Sequence, residues 1–348
     1  MGQLPTVNDV AVAAGVSRQT VSNVLNSPGI VRPATRERVR AVIETLGYRP
    51  HASARRLRTR RSATLAVRID PMVNGISGSV LDSFLHALTQ QAERLGLRVV
   101  LYTATDPDDE TRVIRRLVGG SDVDAFVLTS TVRGDPRTAW LLEAGQPFVT
   151  FGRPWGSEHD DRYRWVDVDG RWGVRLATEH LLGGGTARVG FVGWPEGSGS
   201  GDERRAGWRE AMVAAGTTGD DLEALGVACA DDLAAGAAAV RALLRRVPDI
   251  DGVVAASDTL AVAAHAVVAG RIPVVGFDNT SVAASFGLSS VDQRLSTVAS
   301  HVLRLAGPAG TPAGTHVLVK PRLVVRAVGE GAVLRAAISP RPAETIRP

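Results

Sequence analysis

The sequence predicts an α/β chain in two parts: a small all-α helix-turn-helix domain at the N-terminus and a larger region of parallel sheets covered by helices. The chain has 348 residues, which is more than one compact core usually holds. Its first part contains three short helical patterns in close succession. Beyond it, short β-rich apolar runs alternate with amphipathic segments, as in doubly wound sheets. We expect this larger region to form two lobes, because about 280 residues exceed one typical domain.

Local signals define the first two helices. Thr6 followed by Asp9 resembles a capping box, and apolar residues at helical spacing predict a helix over Val7–Ala14. Gly15 permits a tight turn, and Ser17 is a favourable N-cap for a second short helix. Two helices joined this closely form a helix-turn-helix.

A third helix completes the core of the small domain. The second helix presents Val21, Val24 and Leu25 on one face. Apolar residues also recur at helical spacing within Pro33–Leu46, which predicts the third helix. A pattern of this kind suits a purely structural bundle as well as a DNA-binding domain.

The distribution of charge favours DNA binding. Residues 1–61 contain eleven Arg and three acidic residues, a balance of +8, whereas the whole chain carries +4 and the remainder therefore −4. A basic segment of this density is typical of a protein that binds a polyanion. Lys320 is the only lysine, so the preference for Arg runs through the whole chain and carries no functional inference.

The larger region predicts strands and helices in alternation. Candidate strands are Thr64–Ile69, Leu97–Tyr102, Ala125–Leu128, Phe148–Phe151, Arg188–Val192, Gly252–Ala255 and Val274–Gly276. Candidate helices are Val80–Leu95, Asp108–Val118, Arg171–Leu182, Asp202–Ala215, Asp231–Arg246 and Thr259–Ala269. This βαβ rhythm predicts sheets with helices on both faces.

Composition argues against several other classes of protein. Met1–Val10 lacks the features of a secretory signal, and no run reaches the roughly 18 apolar residues of a membrane span, so we expect a cytoplasmic protein. Cys229 is the only cysteine, which excludes an intramolecular disulfide and a cysteine zinc site. We expect no cofactor and no metal.

The sequence disfavours two alternative functions. An enzyme is disfavoured because the glycine-rich stretches at 183–185 and 193–201 fit neither a P-loop nor a dinucleotide-binding fingerprint, and no Ser/His/Asp order suggests a nucleophile. A free-standing sugar-binding receptor would need a signal peptide and would have no use for residues 1–61. Retardation of a promoter fragment by the purified protein would separate these classes.

A series of motifs in the first domain is highly specific. They are Thr6-Val7-Asn8-Asp9-Val10-Ala11, Ala14-Gly15-Val16-Ser17, Thr20-Val21-Ser22-Asn23-Val24-Leu25-Asn26, Thr35-Arg36, Arg38-Val39 and Leu46-Gly47-Tyr48-Arg49-Pro50. Together they resemble the start of a repressor of the lactose/galactose (LacI/GalR) family, over nearly all of residues 5–61. The resemblance implies a transcriptional regulator, expected to be a repressor, that binds double-stranded, pseudo-palindromic operator DNA.

The resemblance places the second helix in the major groove of DNA. The positions that match base-reading side chains are Arg18, Gln19 and Asn23. Arg can pair with guanine, and Gln or Asn with adenine. The remaining DNA contacts expected from this helix are Ser17, Thr20 and Ser22.

The linker at 49–61 resembles the family's hinge helix, which wedges a leucine into the minor groove. Leu57 occupies the matching position, Ala54 is small enough for two hinge helices to approach, and Arg55 can meet phosphates. His51 departs from the family's usual Asn, so the resemblance does not extend to that contact.

The resemblance continues more loosely beyond the linker. It rests on Val168-Asp169, Glu179-His180-Leu181, Val189-Gly190-Phe191, Arg204 with Gly207, Ser257-Asp258 and Val274-Val275-Gly276-Phe277-Asp278. It implies two periplasmic-binding-protein-like lobes, with crossings expected near Gly185, Val291 and Lys320. The expected parts are residues 1–48, the hinge at 49–61, lobe 1 at about 62–185 and 291–319, lobe 2 at about 186–290 and 320–330, and a tail at 331–348.

The same resemblance predicts an effector cleft between the lobes, for a sugar or sugar derivative. Arg204 matches an arginine that grips ligand oxygens, and Asp278 matches an acceptor for sugar hydroxyls. Ser257 and Gly152-Arg153 stand where many members have Asn and Asp-Arg, which leaves the ligand class open. The expected cleft residues are Asn74, Arg153, Trp172, Arg204, Ser257, Asp278 and Gln293.

Four tryptophans in the middle of the chain are candidates for stacking on a sugar ring. They are Trp155, Trp165, Trp172 and Trp194. Trp172 is preferred because the matching family position lies near the cleft, although most tryptophans simply belong to the core.

The assembly is expected to be a homodimer, because two recognition helices must meet a two-fold-related operator. The tail contains no leucine heptads, which argues against a tetramerising coiled coil.

Overall fold

A computed structural model describes residues 5–48, 62–69, 78–120, 123–307, 312 and 314–326. The chain divides into two units, 1–62 and 63–348, which are described separately below.

The first unit is the predicted trihelical domain. It contains α1 (Val7–Ala14), α2 (Arg18–Asn26), a 3₁₀ turn at Pro28–Ile30 and α3 (Pro33–Leu46). Apolar side chains from all three helices form its core, joined by one residue beyond α3: Val10, Ala11, Ala14, Val21, Val24, Val39 and Tyr48.

Short-range hydrogen bonds determine where these helices begin and end. The backbone N–H of Asp9 donates to Thr6 Oγ1 at 3.3 Å, and the backbone N–H of Thr6 donates to Asp9 Oδ2 at 2.7 Å. This reciprocal pair satisfies donors at the start of α1 that have no partner within the helix. Gly15 ends α1 at a φ of 63°, in the left-handed region that a residue with a Cβ rarely adopts.

The first sheet of the second unit has six parallel strands. They are β1 (Thr64–Ile69), β2 (Arg98–Thr103), β3 (Ala125–Leu128), β4 (Phe148–Phe151), β5 (Trp165–Val168) and β11 (His316–Val319). Their order is β11-β5-β4-β3-β1-β2. The helices of this lobe are α4 (Gly78–Arg94), α5 (Pro107–Gly119), α6 (Pro136–Glu143) and α13 (Leu295–Ala306).

Alternation along β1 shows why helices cover both faces of this sheet. Leu65 and Val67 share one core with Phe84 of α4, whereas Ala66 belongs to another with Ile114 of α5. Successive side chains of a strand point to opposite faces, so the consecutive buried positions of β1 require cover on both faces.

The second sheet also has six strands. They are β6 (Val189–Gly193), β7 (Gly226–Ala228), β8 (Gly252–Ala255), β9 (Val274–Phe277), β10 (Ser289–Asp292) and β12 (Arg322–Val324). Their order is β12-β10-β9-β8-β6-β7, and only the pairing of β12 with β10 is antiparallel. The helices of this lobe are α7 (Gly170–Gly183), α8 (Ser200–Ala214), α9 (Gly219–Ala224), α10 (Leu233–Arg246), α11 (Asp258–Val268) and α12 (Ser281–Ser285).

The first crossing between the lobes corrects the boundary expected near Gly185. The chain leaves the first sheet at Val168, and α7 packs against α8 and strands of the second sheet. Gly173 of α7 abuts the side chains of Phe277 and Val291, so this helix already belongs to lobe 2. The first crossing therefore lies at Asp169, about one helix earlier than expected.

The other two crossings follow from the strand bounds. One joins β10 to α13 at residues 293–294, and the other joins β11 to β12 at residues 320–321. The backbone N–H of Asp169 donates to the carbonyl of Val319 at 3.0 Å, which ties the first crossing to the third.

Candidate functional site

The exposed face of α2 carries the residues predicted to read bases. Arg18 and Gln19 are exposed, and Asn23 is half-buried one turn further along. Gln19 Nε2 donates to Asn23 Oδ1 at 3.0 Å, and this hydrogen bond fixes the orientation of both side-chain amides. Val21 and Val24 are buried on the opposite face, which fixes the rotation of the helix.

The other residues expected on this helix have local structural roles. Ser17 Oγ accepts from the backbone N–H of Thr20 at 3.1 Å and lies 2.9 Å from its hydroxyl, which caps the helix. The backbone carbonyl of Ser22 accepts from Asn26 Nδ2 at 2.6 Å. Four further predicted site residues lie outside the described residues: Ala54, Arg55, Leu57 and Asn74.

Arg204, on α8, is the centre of a buried polar cluster at the carboxyl ends of the second sheet's strands. Its side chain is only 9% exposed, and its Nη1 donates to the carbonyl of Ala256 just beyond β8. Nη1 also lies 3.7 Å from Asp278 Oδ1. The guanidinium carbon is 3.8 Å from the ring centroid of Phe277 and 4.9 Å from that of Trp194. Burial lowers the pKa of Arg204.

Asp278 follows β9 in an unusual backbone conformation, with a φ of 116°. Gln293, at the second crossing, donates from Nε2 to Asp278 Oδ1 at 2.6 Å. Burial raises the pKa of Asp278 to about 7, against the lowering effect of Arg204 and with the help of the Asp258 carboxylate. The structure therefore brings three predicted cleft residues together: Arg204, Asp278 and Gln293.

Ser257 and its neighbours extend this cluster along the ends of β7 and β8. Ser257 is fully buried, donates from Oγ to Asp231 Oδ1 at 2.5 Å, and caps α11 through the N–H of Leu260. Asp258 accepts from the hydroxyls of Thr280 and Ser290 at 2.8 Å and 2.6 Å. Burial raises the pKa of Asp258.

Arg153 supplies the facing side from lobe 1. Its Nε donates to Asp167 Oδ2 at 2.8 Å, and its Nη2 lies 3.4 Å from Glu203 Oε2 on α8 of lobe 2. A Cβ at Gly199 would lie 2.5 Å from the indole of Trp155, so that ring also contacts lobe 2 closely. These contacts join the two lobes directly beside Arg204.

The tryptophan beside Arg204 is Trp194, not the preferred Trp172. The guanidinium carbon of Arg175 and the ammonium of Lys320 lie 4.4 Å and 4.7 Å from the ring centroid of Trp172. Trp172 thus packs against the third crossing. Trp165 stacks on His316 of β11 in the first sheet.

Several residues at the site were missed or left undistinguished by sequence reasoning. They are Trp155, Asp167, Glu203, Asp231, Asp258 and Trp194. Asp258 and Trp194 come soon after strands that were predicted, so their position at the carboxyl edge was an available signal. Asp167 lies in β5, which was not predicted. Over the described ranges, the chain contains neither a helix able to cross a membrane nor a cluster of acidic, His and Cys side chains able to hold a metal ion.

Two family profiles match this chain. "Bacterial regulatory proteins, lacI family" covers residues 6–51, and "Periplasmic binding proteins and sugar binding domain of LacI family" covers residues 76–308.

Named relatives agree with these profiles. The chain is 37% identical over 320 residues to the HTH-type transcriptional regulator CelR of Thermobifida fusca, covering 86% of this chain and 90% of that protein. It is 28% identical over 344 residues to the regulator GalR of Salmonella typhimurium, covering 93% and 95%.

Solved structures share the fold. The transcriptional regulator CelR-cellobiose complex is similar at a TM-score of 0.67 with 33% identity, covering 92% of this chain and 99% of that one. The lac repressor dimer bound to operator and the anti-inducer ONPF is similar at a TM-score of 0.72 with 21% identity, covering 93% and 98%.

A helix-turn-helix domain followed by two periplasmic-binding-protein-like lobes defines a DNA-binding transcriptional regulator, and confirms the predicted fold class. The chain belongs to the LacI family of bacterial regulatory proteins, as its sequence motifs indicated.

Proposed function

We propose that this regulator is a homodimeric repressor whose affinity for operator DNA is controlled by a sugar or sugar derivative bound between its lobes. The observation that carries the proposal is the buried Arg204–Asp278–Gln293 cluster, because it places donors and acceptors at the carboxyl ends of the strands. Ligands of doubly wound folds bind at that edge.

The chemistry of the cluster suits a polyhydroxylated ligand. A guanidinium offers donors in a rigid fork, and a carboxylate offers acceptors, so the two together can bind hydroxyl groups from both sides. The ion contact of 3.7 Å between Arg204 and Asp278 is longer than a hydrogen bond, which leaves both groups able to exchange this contact for ligand hydroxyls. A relative with 33% identity is described in complex with cellobiose, which makes cellobiose the first candidate to test.

At the DNA end, Arg18, Gln19 and Asn23 read base edges from the exposed face of α2. Leu57 in the linker wedges into the minor groove at the operator centre, with Ala54 and Arg55 beside it. Two copies meet the two halves of a pseudo-palindromic operator. Such a protein works on chromosomal DNA, which places it in the cytoplasm.

The lobes transmit the effector signal through the arrangement of the crossings. An effector shifts an equilibrium only by its differential affinity for two states, so it must favour one arrangement of the lobes. Gln293 lies in the second crossing and bonds to Asp278, so a ligand that replaces this bond acts directly on the crossing. Residues 49–61 connect the lobes to the DNA-binding domain.

A regulatory function accounts for the polar groups without catalysis. The carboxyl groups of the cluster are engaged with neighbours: Asp167 with Arg153, Asp231 with Ser257, and Asp258 with two hydroxyls. The hydroxyls that meet these carboxylates are buried and have structural roles, since Ser257 caps α11 and Thr280 caps α12. We therefore propose no enzymatic activity.

The experiment is a titration of operator DNA, selected from random sequence by the protein, followed by fluorescence anisotropy. Repetition with cellobiose and other sugars should lower the operator affinity for at least one of them, and that sugar should raise the melting temperature of the protein. Binding to all DNA sequences alike would refute the regulatory assignment, and an operator affinity that no sugar changes would refute the effector class.

A further inference from the structure

Two N–H groups beside the Arg204–Asp278 pair are buried and make no hydrogen bond within the described part of the chain. They are Nε1 of Trp194 and Nε of Arg204. The guanidinium carbon of Arg204 lies 4.9 Å from the Trp194 ring centroid, so the two side chains that carry these donors are neighbours. A buried donor without an acceptor costs free energy, which a ligand oxygen at this position would recover.

The indole of Trp194 is held in place by the start of α8. A Cβ at Gly201 would lie 3.0 Å from Cε3 of the indole, so the ring packs on the backbone of the first helical turn. The next turn carries Arg204, whose guanidinium lies near both Trp194 and Phe277. The two unpaired donors therefore come from side chains that are packed against neighbouring residues, as a specific subsite requires.

The charges around this wall select against an anionic ligand. Four carboxyl groups act electrostatically on Arg204: Asp278, Asp167, Asp231 and Asp258. Glu203 adds a fifth, whereas the compensating cations are Arg153 and Arg204, with Arg326 acting on Asp258. Each carboxylate can accept donors beyond those it already has, and sugar hydroxyls supply them, whereas a phosphate dianion adds only acceptors and negative charge.

We propose that Trp194 is a specificity-determining residue of the effector cleft, and that its indole N–H and the Nε–H of Arg204 bind oxygens of an uncharged sugar. The inference rests on the proposed sugar-responsive function and names the residue and the ligand charge that govern it. Hydroxyls of the same sugar donate to the surrounding carboxylates.

The first test uses the full-length protein and measures Kd by titration calorimetry. The probes are neutral mono- and disaccharides, beginning with cellobiose, and the 6-phosphate of each. We expect a neutral sugar to bind and its phosphate to bind more weakly. Tighter binding of the phosphate overturns the proposal while leaving a sugar-derivative sensor in place. Binding of neither kind overturns both the proposal and the proposed function.

The second test compares Trp194→Phe, which keeps an aromatic ring but removes the N–H, with Trp140→Phe as a matched control. Trp140 is also partly buried and has an arginine 5.3 Å from its ring, but it lies on α6 of lobe 1. Loss of one neutral hydrogen bond should weaken binding of the sugar about three- to tenfold in Trp194→Phe. Binding to Trp140→Phe should be unchanged.

A third measurement follows the wild-type protein, and the variant serves only to assign one resonance. The chain contains six tryptophans, so six indole N–H resonances are expected in a ¹⁵N spectrum, and Trp194→Phe identifies its own by its disappearance. In the wild-type protein this resonance should shift when the sugar binds. Unchanged affinity in Trp194→Phe together with an unmoved resonance would overturn the role of Trp194 and leave the sugar-sensing function standing.

Discussion

At the scale of single residues, core packing and DNA recognition fall to opposite faces of α2. Val21 and Val24 are buried and hold the helix against the core, while Arg18 and Gln19 face outward. Because the amide of Gln19 already donates to Asn23, DNA must either replace this bond or read the pair as a unit. Arg18 takes no part in the hydrogen bond between Gln19 and Asn23, so its substitution is the clearest test of base reading.

Arg18→Ala should weaken binding to the selected operator by about 1 to 3 kcal/mol and binding to random DNA very little, because a bidentate contact to guanine discriminates between bases. Fluorescence anisotropy on both DNAs measures the difference. Arg40→Ala removes another exposed arginine, on α3, and should not change the ratio of the two affinities. Equal losses on both DNAs in Arg18→Ala would make Arg18 a phosphate contact instead.

The raised pKa of Asp278, to about 7, predicts a pH dependence of stability. Between the ordinary Asp value of about 4 and about 7, the folded chain binds a proton that the unfolded chain releases, so stability falls as pH rises through this window. Asp278→Asn cannot titrate, and Asn tolerates a positive φ. Its melting temperature should therefore rise relative to that of the wild type as pH increases through the window.

Asp258 and Asp167 also have a pKa raised by burial, and they remain in both proteins. The difference between the two melting curves thus reports the titration of Asp278 together with its interaction with Asp258. Parallel curves across the whole pH range would show that its carboxyl group titrates as an exposed one does.

At the scale of elements, the packing of α7 on α8 depends on one close approach. A Cβ at Gly207 of α8 would lie 2.0 Å from the carbonyl oxygen of Arg171 on α7, closer than any side chain can approach. A Cβ at Gly183, at the end of α7, would have no neighbouring atom within 4 Å. These two helical glycines therefore differ in the space available to a methyl group.

Gly207→Ala should destabilise the chain by about 1 to 3 kcal/mol or more, because the helices must move apart to admit the methyl group. Gly183→Ala should be neutral or stabilising by up to about 1 kcal/mol, since it only restricts the unfolded chain. Urea denaturation measures both. Equal stability of the two variants would contradict the close packing of α7 on α8.

The elements that were predicted well are those defined by local signals. The bounds of α1 and α3 follow from the capping box at Thr6 and from Gly15 and Gly47, both of which adopt the left-handed conformation. The four-residue strands β5 and β11 were not predicted, because each is stabilised by pairing with a partner about 150 residues away.

The same distinction holds at the site. Arg204 and Asp278 were identified from motifs next to predicted elements. The structure places Arg204 Nη1 3.7 Å from Asp278 Oδ1. Their role in binding a ligand stays a prediction. Trp194 could not be distinguished from the other tryptophans, because its proximity to Arg204 depends on how the loop after β6 meets α8. The first crossing was misplaced for a similar reason, since only tertiary packing assigns α7 to lobe 2.

At the scale of the whole molecule, the three crossings lie close to the polar cluster. Asp169 and Val319 bond the first crossing to the third, and Gln293 bonds the second to Asp278. The ion pair of Arg153 with Glu203 joins the lobes beside them. A ligand that enters the cluster therefore changes contacts of the crossings as well as of the cleft.

The most direct test of this account is operator binding by Asp278→Asn and wild-type protein, each with and without the sugar that produces the largest wild-type response. The titration is run at about pH 8, above the raised pKa, where Asp278 is ionised in the wild type. Two linked but separate sites predict that the variant binds operator as tightly as the wild type, yet keeps that affinity at a sugar concentration that releases the wild type. A folded variant that no longer binds operator, or one released at the wild-type sugar concentration, would contradict the account.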